Sequence, residues 1–299
     1  MTVVQNPVDP ASPSSEIAAV ANTEATVEAK RKRDLRPSDI IGPLVVFALF
    51  IGLWYFMHYW GLRHLLDRPP HLITPPHEVI DEAFMEPILR RAILEGLKWT
   101  AFTAIIGLMI SIVLGMTLAV IMSQARWVER SIWPYLVALQ AIPILAVVPI
   151  IAIVFGYGLN ARILVTVMIS IFPIVSNTLF GLLSVDPGQH DLFTLRRASR
   201  WTRLWKLQLP AAMPSVFTGF RIAAGLSVIG AVVGEQFFTR GRKKGVGRLL
   251  VEYASRTNYP AVYACLILAV LLGISEFIFF GWLQKLAVGR WYVPSRQAI

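Results

Sequence analysis

Three runs of the chain, residues 99–122, 132–155 and 163–183, contain no Asp, Glu, Lys or Arg. A helix needs about 20 predominantly apolar residues to cross a bilayer, and each run is long enough. Three such uncharged segments have no place in a water-soluble domain, so the chain reads as an all-α, polytopic membrane protein. A hydrophobic share of 56% and a mean hydropathy of +0.60 agree with that reading.

Three more runs complete a set of six spans. Residues 42–61 carry an aromatic cluster at their far end and no small-residue cleavage pattern, so they read as a retained span, not a removed signal. Residues 216–238 have Arg221 near one end and Glu235 near the other, positions from which a long side chain reaches an interface. Residues 261–283 carry Glu276, and a single charge costs only about 3 kcal/mol on insertion scales.

Six spans put both termini on one side. Residues 1–36 lack aromatics and close on Lys30, Arg31, Lys32, Arg33 and Arg36, which describes a disordered tail with a cytoplasmic topology anchor. The expected organisation is that tail, a membrane domain over 37–293 and a short tail over 294–299. One segment fits poorly: Arg240, Arg242, Lys243, Lys244 and Arg248 crowd the outer side of this topology. Either the later loops translocate once the first spans fix orientation, or the fifth run is re-entrant.

Between the first two runs, Pro69, Pro70, Pro75 and Pro76 exclude helix, and an amphipathic stretch over 78–99 is interrupted by Pro87. An extended link followed by an interfacial helix is expected there. The third run holds Pro134, Pro143 and Pro149, and the fourth holds Pro173. Proline bends helices that line a moving cavity, and it is also commoner in membrane helices generally.

The chain has no phosphate loop, no nucleophile elbow, no HExxH and no CxxC, so a self-powered pump and the common metal and acyl chemistries have no seat. Any pumping draws on an external energy source, and the chain reads as a transport subunit with no catalytic or metal-ligating residues. The five histidines lie at span ends or in loops, and the single Cys265 sits in an apolar run. Net charge of +10 belongs to the flanks of membrane spans, and nucleic acid is not an expected partner. Gln140, Pro143, Ser170, Asn177 and Glu276 are the candidates for a translocation path. Each polar one among them has an alternative use in helix packing, and Glu276 is also the residue a proton-coupled carrier would use.

The longest polar segment between apolar runs is 186–214, where Arg196, Arg197, Arg200, Arg203 and Lys206 outnumber two acids. It resembles the cytoplasmic signature of the inner-membrane permeases of binding-protein-dependent ABC importers, in the branch handling nitrate, sulfonates, taurine, bicarbonate and some vitamin precursors. That signature is Glu-Ala-Ala, three residues, Gly, nine residues, Ile, one residue, Leu-Pro. Ending it on Leu209 and Pro210 places the isoleucine on Leu207, the glycine on Arg197, the acid on Asp191 and the alanines on Leu192 and Phe193. The back half fits and the front half departs. ITPPHEV before the second run and FGYGLNARILVTVMISIFPIVSNTLFGL in the middle extend the likeness to roughly residues 40–293.

The resemblance implies a type I importer permease with six transmembrane helices in a bacterial inner membrane, both termini cytoplasmic. It also implies a second permease subunit, as a homodimer, two ATP-binding subunits and an extracytoplasmic solute-binding protein. ATP and Mg belong to the partner ATPase and no cofactor to this chain. The ATPase-coupling loop would then comprise Asp191, Arg197, Ala198, Ser199, Arg200, Trp201, Thr202, Arg203, Leu207, Leu209 and Pro210, with the contact centred on 198–202.

Local chemistry points the same way. Leu204, Trp205 and Leu207 are expected as apolar anchors, Pro210 and Pro214 as the helix end, and Arg200 and Arg203 as donors for an acidic groove. A basic interfacial helix on lipid would use the same residues. Arginine at a glycine position costs about 1 kcal/mol if a positive φ is required, so the bend is expected to shift to Ala198 and Ser199 or to change geometry. The solute is expected to be a small anion such as nitrate, a sulfonate or bicarbonate. The 240–248 cations would draw it in or pair with an acidic lobe of the binding protein. The rival is a self-contained secondary transporter or channel coupled through Glu276.

Overall fold

The computed structural model describes residues 37–241 and 243–289, with side chains from residue 41. The expected tails over 1–36 and 294–299 lie outside the described residues, as does Arg242. The described residues are helical with no strand. Five helices among them are long and apolar enough to cross a membrane, and a bent helix pair makes a sixth where the two arms count as one span.

The chain divides at Asp67 into two units. The first holds α1, Pro37–Phe56, which continues through a widened turn, Met57–Gly61, into a last helical turn, Leu62–Leu65. Along it Tyr55 stacks on Tyr59 and Trp60 on His64. Leu44, Val46, Phe47 and Leu49 are all exposed, as suits a surface meeting lipid.

The second unit carries the remaining spans. Its first long helix, α2, is Pro87–Ser123. Pro87 does not interrupt a helix here. Glu86 is extended and Pro87 sits in the first turn, where its missing N–H is no loss, so proline starts the helix. The result is 37 unbroken residues, about 55 Å, longer than a bilayer core.

The expected third span is two helices, α3 (Arg126–Ala141) and α4 (Ile144–Phe155), bent 99° apart. Ile142 and Pro143 between them are extended, because proline disfavours helical geometry at the residue before it. Neither arm, about 24 and 18 Å, crosses alone. Pro134, Pro149 and Pro173 stay inside helices.

The centre of the unit is α5, Leu159–Leu183, against a long helix, α8, Leu209–Phe237, with α2 and α10, Tyr259–Val288, on either side. Small residues let these helices approach. A methyl on Gly230 would lie 2.7 Å from Thr166 Cα, and one on Gly219 would lie 2.9 Å from the Pro173 carbonyl. Such contacts drive helix association where lipid removes the hydrophobic advantage. Leu108, Ile174, Leu182, Val216 and Phe217 fill one cluster between them. A short amphipathic helix, α9, Val246–Ser255, packs over the start of α10.

Candidate functional site: the 184–214 hairpin and the 238–247 strap

Between α5 and α8 the chain makes two short helices. The first, α6 (Pro187–Leu195), begins with the Asp186 carboxylate accepting the Gly188 amide at 2.7 Å and with Pro187 in the first turn. It ends in a Schellman arrangement: Arg197 N–H donates to the Thr194 carbonyl at 2.9 Å, and Ala198 N–H to the Phe193 carbonyl at 3.0 Å. The residue that must be left-handed in that motif is Arg197, whose φ is +50°. The bend therefore has not shifted to Ala198 and Ser199. Arginine occupies the glycine position and accepts the strain.

Ser199 then caps the second helix, α7 (Arg200–Arg203), taking the Thr202 amide at 3.2 Å. Arg203 reaches back across the bend and donates to the Thr194 hydroxyl at 3.2 Å, so it braces the two helices. A widened turn over Leu204–Gln208 joins α7 to α8. Pro210 and Pro214 do not end the helix: the wide turn precedes Pro210, whose absent N–H and ring an ordinary turn would not accommodate, and Pro214 lies inside α8.

Exposure separates two sets of apolar residues that look alike in sequence. Leu204 is buried with Leu182, Ala212 and Val216, and Leu207 is buried as well, so neither presents its side chain at the surface. Leu192, Leu195, Trp201 and Trp205 are exposed, Leu195 by 81% and Trp201 by 69%. Around them lie the exposed Asp191, Arg196, Arg197, Arg200 and Lys206, while Leu209 and Pro210 are half-buried at the root of α8. Leu195 is a surface feature the motif alone does not disclose.

The translocation-path candidates each have their own surroundings. Ser170 is fully buried between α2 and α5, 2.8 Å from Ser111 Oγ. Asn177 donates to the Pro173 carbonyl at 2.9 Å within its own helix. Gln140 and Pro143 are exposed at the α3–α4 elbow. Glu276 is buried against α8, where one oxygen accepts from the Ser227 hydroxyl at 3.2 Å.

At the opposite end of the spans a second polar construction stands out. Glu235 is wholly buried and does not reach an interface. It accepts from the Thr100 hydroxyl at 2.8 Å and the Gly247 amide at 3.0 Å. Arg162, exposed by only 3%, donates to the carbonyls of Phe238 at 2.7 Å, Lys243 at 3.2 Å and Arg240 at 3.4 Å. The described residues between 238 and 247 are thus strapped across the bundle end by one cation and one anion. The signal in the sequence is Gly245 and Gly247: a side chain on Gly245 would run into the Glu235 carboxylate, and one on Gly247 into the Val232 carbonyl.

A family profile matches residues 111–288: the inner membrane component of binding-protein-dependent transport systems. The chain belongs to this family. Among its relatives, the formylaminopyrimidine transport permease protein ThiX of Halalkalibacterium halodurans is 34% identical over 81% of this chain and 92% of its own. The riboflavin transport system permease protein RibX of Chloroflexus aurantiacus is 30% identical over 82% and 90%. The fold is that of solved importers: the MetNI methionine ABC transporter in an inward-facing conformation aligns with a TM-score of 0.61 at 17% identity, covering 68% of this chain and 99% of that one. As an ABC importer permease the chain is a multi-pass membrane protein, and the 184–214 hairpin falls within the matched region.

Proposed function

We propose that the 184–214 hairpin is where the energy of ATP hydrolysis, released on separate partner subunits, enters this permease. The observation that carries the reading is the exposed row of Leu192, Leu195, Trp201 and Trp205 on a bend held by Arg197 and braced by Arg203. Four large apolar side chains in a basic surround are an anchor set for an acidic, apolar groove. The partner ATPase lies on that side of the membrane, which makes it the cytoplasmic side, and the 238–247 strap faces the binding protein. Two permease copies around one path, two ATPase subunits and one binding protein complete the complex.

For the solute, the sequence points to a small anion. ThiX and RibX carry, by name, a formylaminopyrimidine and riboflavin, which are nitrogen heterocycles. Their identity to this chain favours a heterocyclic vitamin or vitamin precursor over nitrate or bicarbonate.

Purification of the complex tests the coupling reading. The wild-type chain should retain an ATPase subunit, and Trp201→Glu should lose it while still inserting in the membrane. Full retention with the glutamate would sink the assignment. Titration of the complex's binding protein with a pyrimidine, a flavin and nitrate then decides the solute class.

A further inference from the structure

The strap shapes one wall of a cavity of about 850 Å³ between the N-terminal half of α2, the start of α5 and Arg240, Gly241 and Lys243. Its walls are mainly apolar, led by Trp99 and Phe102, and its charged lining is entirely basic: Lys98, Arg162, Arg240 and Lys243. Arg162 spends its guanidinium on backbone carbonyls of the strap, which fixes the segment bearing Arg240 and Lys243. Lys243 Nζ lies 3.6 Å from the centroid of the Trp99 ring, and the Arg240 guanidinium 5.4 Å from that of Tyr157. Among the described residues the two ion pairs join Lys244 and Arg256 to Glu252, and neither uses Lys98, Arg240 or Lys243.

Below this cationic rim the apolar wall does not stop. Phe102, Ile105, Met109 and Val113 are all exposed and share one face of α2, so a continuous apolar stripe leads from the cavity along the span. Cations and aromatics at the span end above a lipid-length apolar track match one kind of molecule, an amphiphile with a negative head. An ion the size of nitrate would leave the cavity nearly empty.

We propose that this cavity holds an anionic phospholipid, its phosphodiester at Lys98, Arg240 and Lys243 and an acyl chain along Ile105, Met109 and Val113. Trp99 and Phe102 meet the glycerol region. The site gives the cations of the strap a lipid partner on the face where topology alone leaves them unexplained. It does not depend on how ATP is coupled.

The full chain, purified into nanodiscs of equal phosphatidylglycerol and phosphatidylcholine and then released for native mass spectrometry, tests the site. Phosphatidylglycerol should be retained preferentially, and the preference should fall about fivefold for each of Lys98→Gln and Lys243→Gln. Lys285→Gln, at the other end of the spans, should leave it unchanged. Equal retention of both lipids, or a preference that survives Lys98→Gln, overturns the proposal. Displacement of the lipid by chain-free glycerophosphoglycerol also overturns it, by making the cavity a site for soluble anions. Lys98 is an exposed surface position, so that single variant reads the site even if changes in the strap unfold it.

Discussion

The Thr100 hydroxyl stands between two elements of the bundle end, donating to Glu235 at 2.8 Å while receiving the Val246 amide at 2.8 Å. One small side chain on α2 thereby ties the end of α8 to the start of α9. Removing the hydroxyl leaves a buried carboxylate short of a donor and a buried amide without an acceptor, each worth about 1–3 kcal/mol. Thr100→Val should lower the thermal unfolding temperature in detergent by several degrees, whereas Thr100→Ser should stay close to wild type.

Glycine positions along α8 separate packing from propensity. A methyl on Gly225 meets nothing within 4 Å, and one on Gly230 meets Thr166 backbone at 2.7 Å. Gly225→Ala should therefore gain up to about 1 kcal/mol from helix propensity. Gly230→Ala should lose about 1–3 kcal/mol by forcing α5 and α8 apart. Unfolding of the two variants side by side, with opposite signs of shift, checks the α5–α8 contact.

At the hairpin bend, Arg197 holds a φ of +50° that glycine adopts freely. Arg197→Gly should stabilise the hairpin by about 1 kcal/mol, and Arg197→Val should destabilise it by at least as much. Hydrogen exchange at the amides of Arg197 and Ala198, which close the Schellman motif, reports the change directly.

The long uncharged runs were legible because bilayer thickness fixes their length, and the family because Leu207, Leu209 and Pro210 stand at the spacing of its signature. The α3–α4 break was not legible. Pro134, Pro143 and Pro149 are equivalent in composition, and what selects Pro143 is tertiary: Val148, Ile151 and Ala152 pack on Ala161, Val165 and Phe238, which requires α4 to fold back. Glu235, expected at an interface, and Arg162, which drew no expectation, are buried for the same reason. Each lies near a span end in sequence, and only the strap folded across that end buries them. Leu204 and Leu207 differ from Trp201 and Trp205 by their angle around one helical turn, and the wide turn at Leu204–Gln208 changes that angle.

Glu252 supplies a pH test outside the spans. Its hydrogen bond from Lys244, at 2.7 Å, holds the carboxyl below its ordinary value of 4.5, with Arg256 adding attraction. A group whose folded pKa is depressed contributes stability above its unfolded value and loses it as pH falls through the folded one. Amide protection of α9 should accordingly be level above about pH 5 and drop on acidification. In Glu252→Gln that acid-dependent loss should be absent.

The last contrast concerns the hairpin's two apolar sets. Leu204 is buried beside Leu182 and Val216 and Leu207 is buried too, so truncating either should cost about 2–5 kcal/mol. Trp201 and Trp205 are 69% and 65% exposed, so Trp201→Ala and Trp205→Ala should change stability by no more than about 0.5 kcal/mol. Partner retention should order the four variants differently: the tryptophan variants should lose the ATPase subunit from an intact permease. The leucine variants should lose it only in proportion to unfolding. Thermal unfolding of the isolated permease and co-purification of the complex, measured on the same four proteins, distinguish a docking surface from a core.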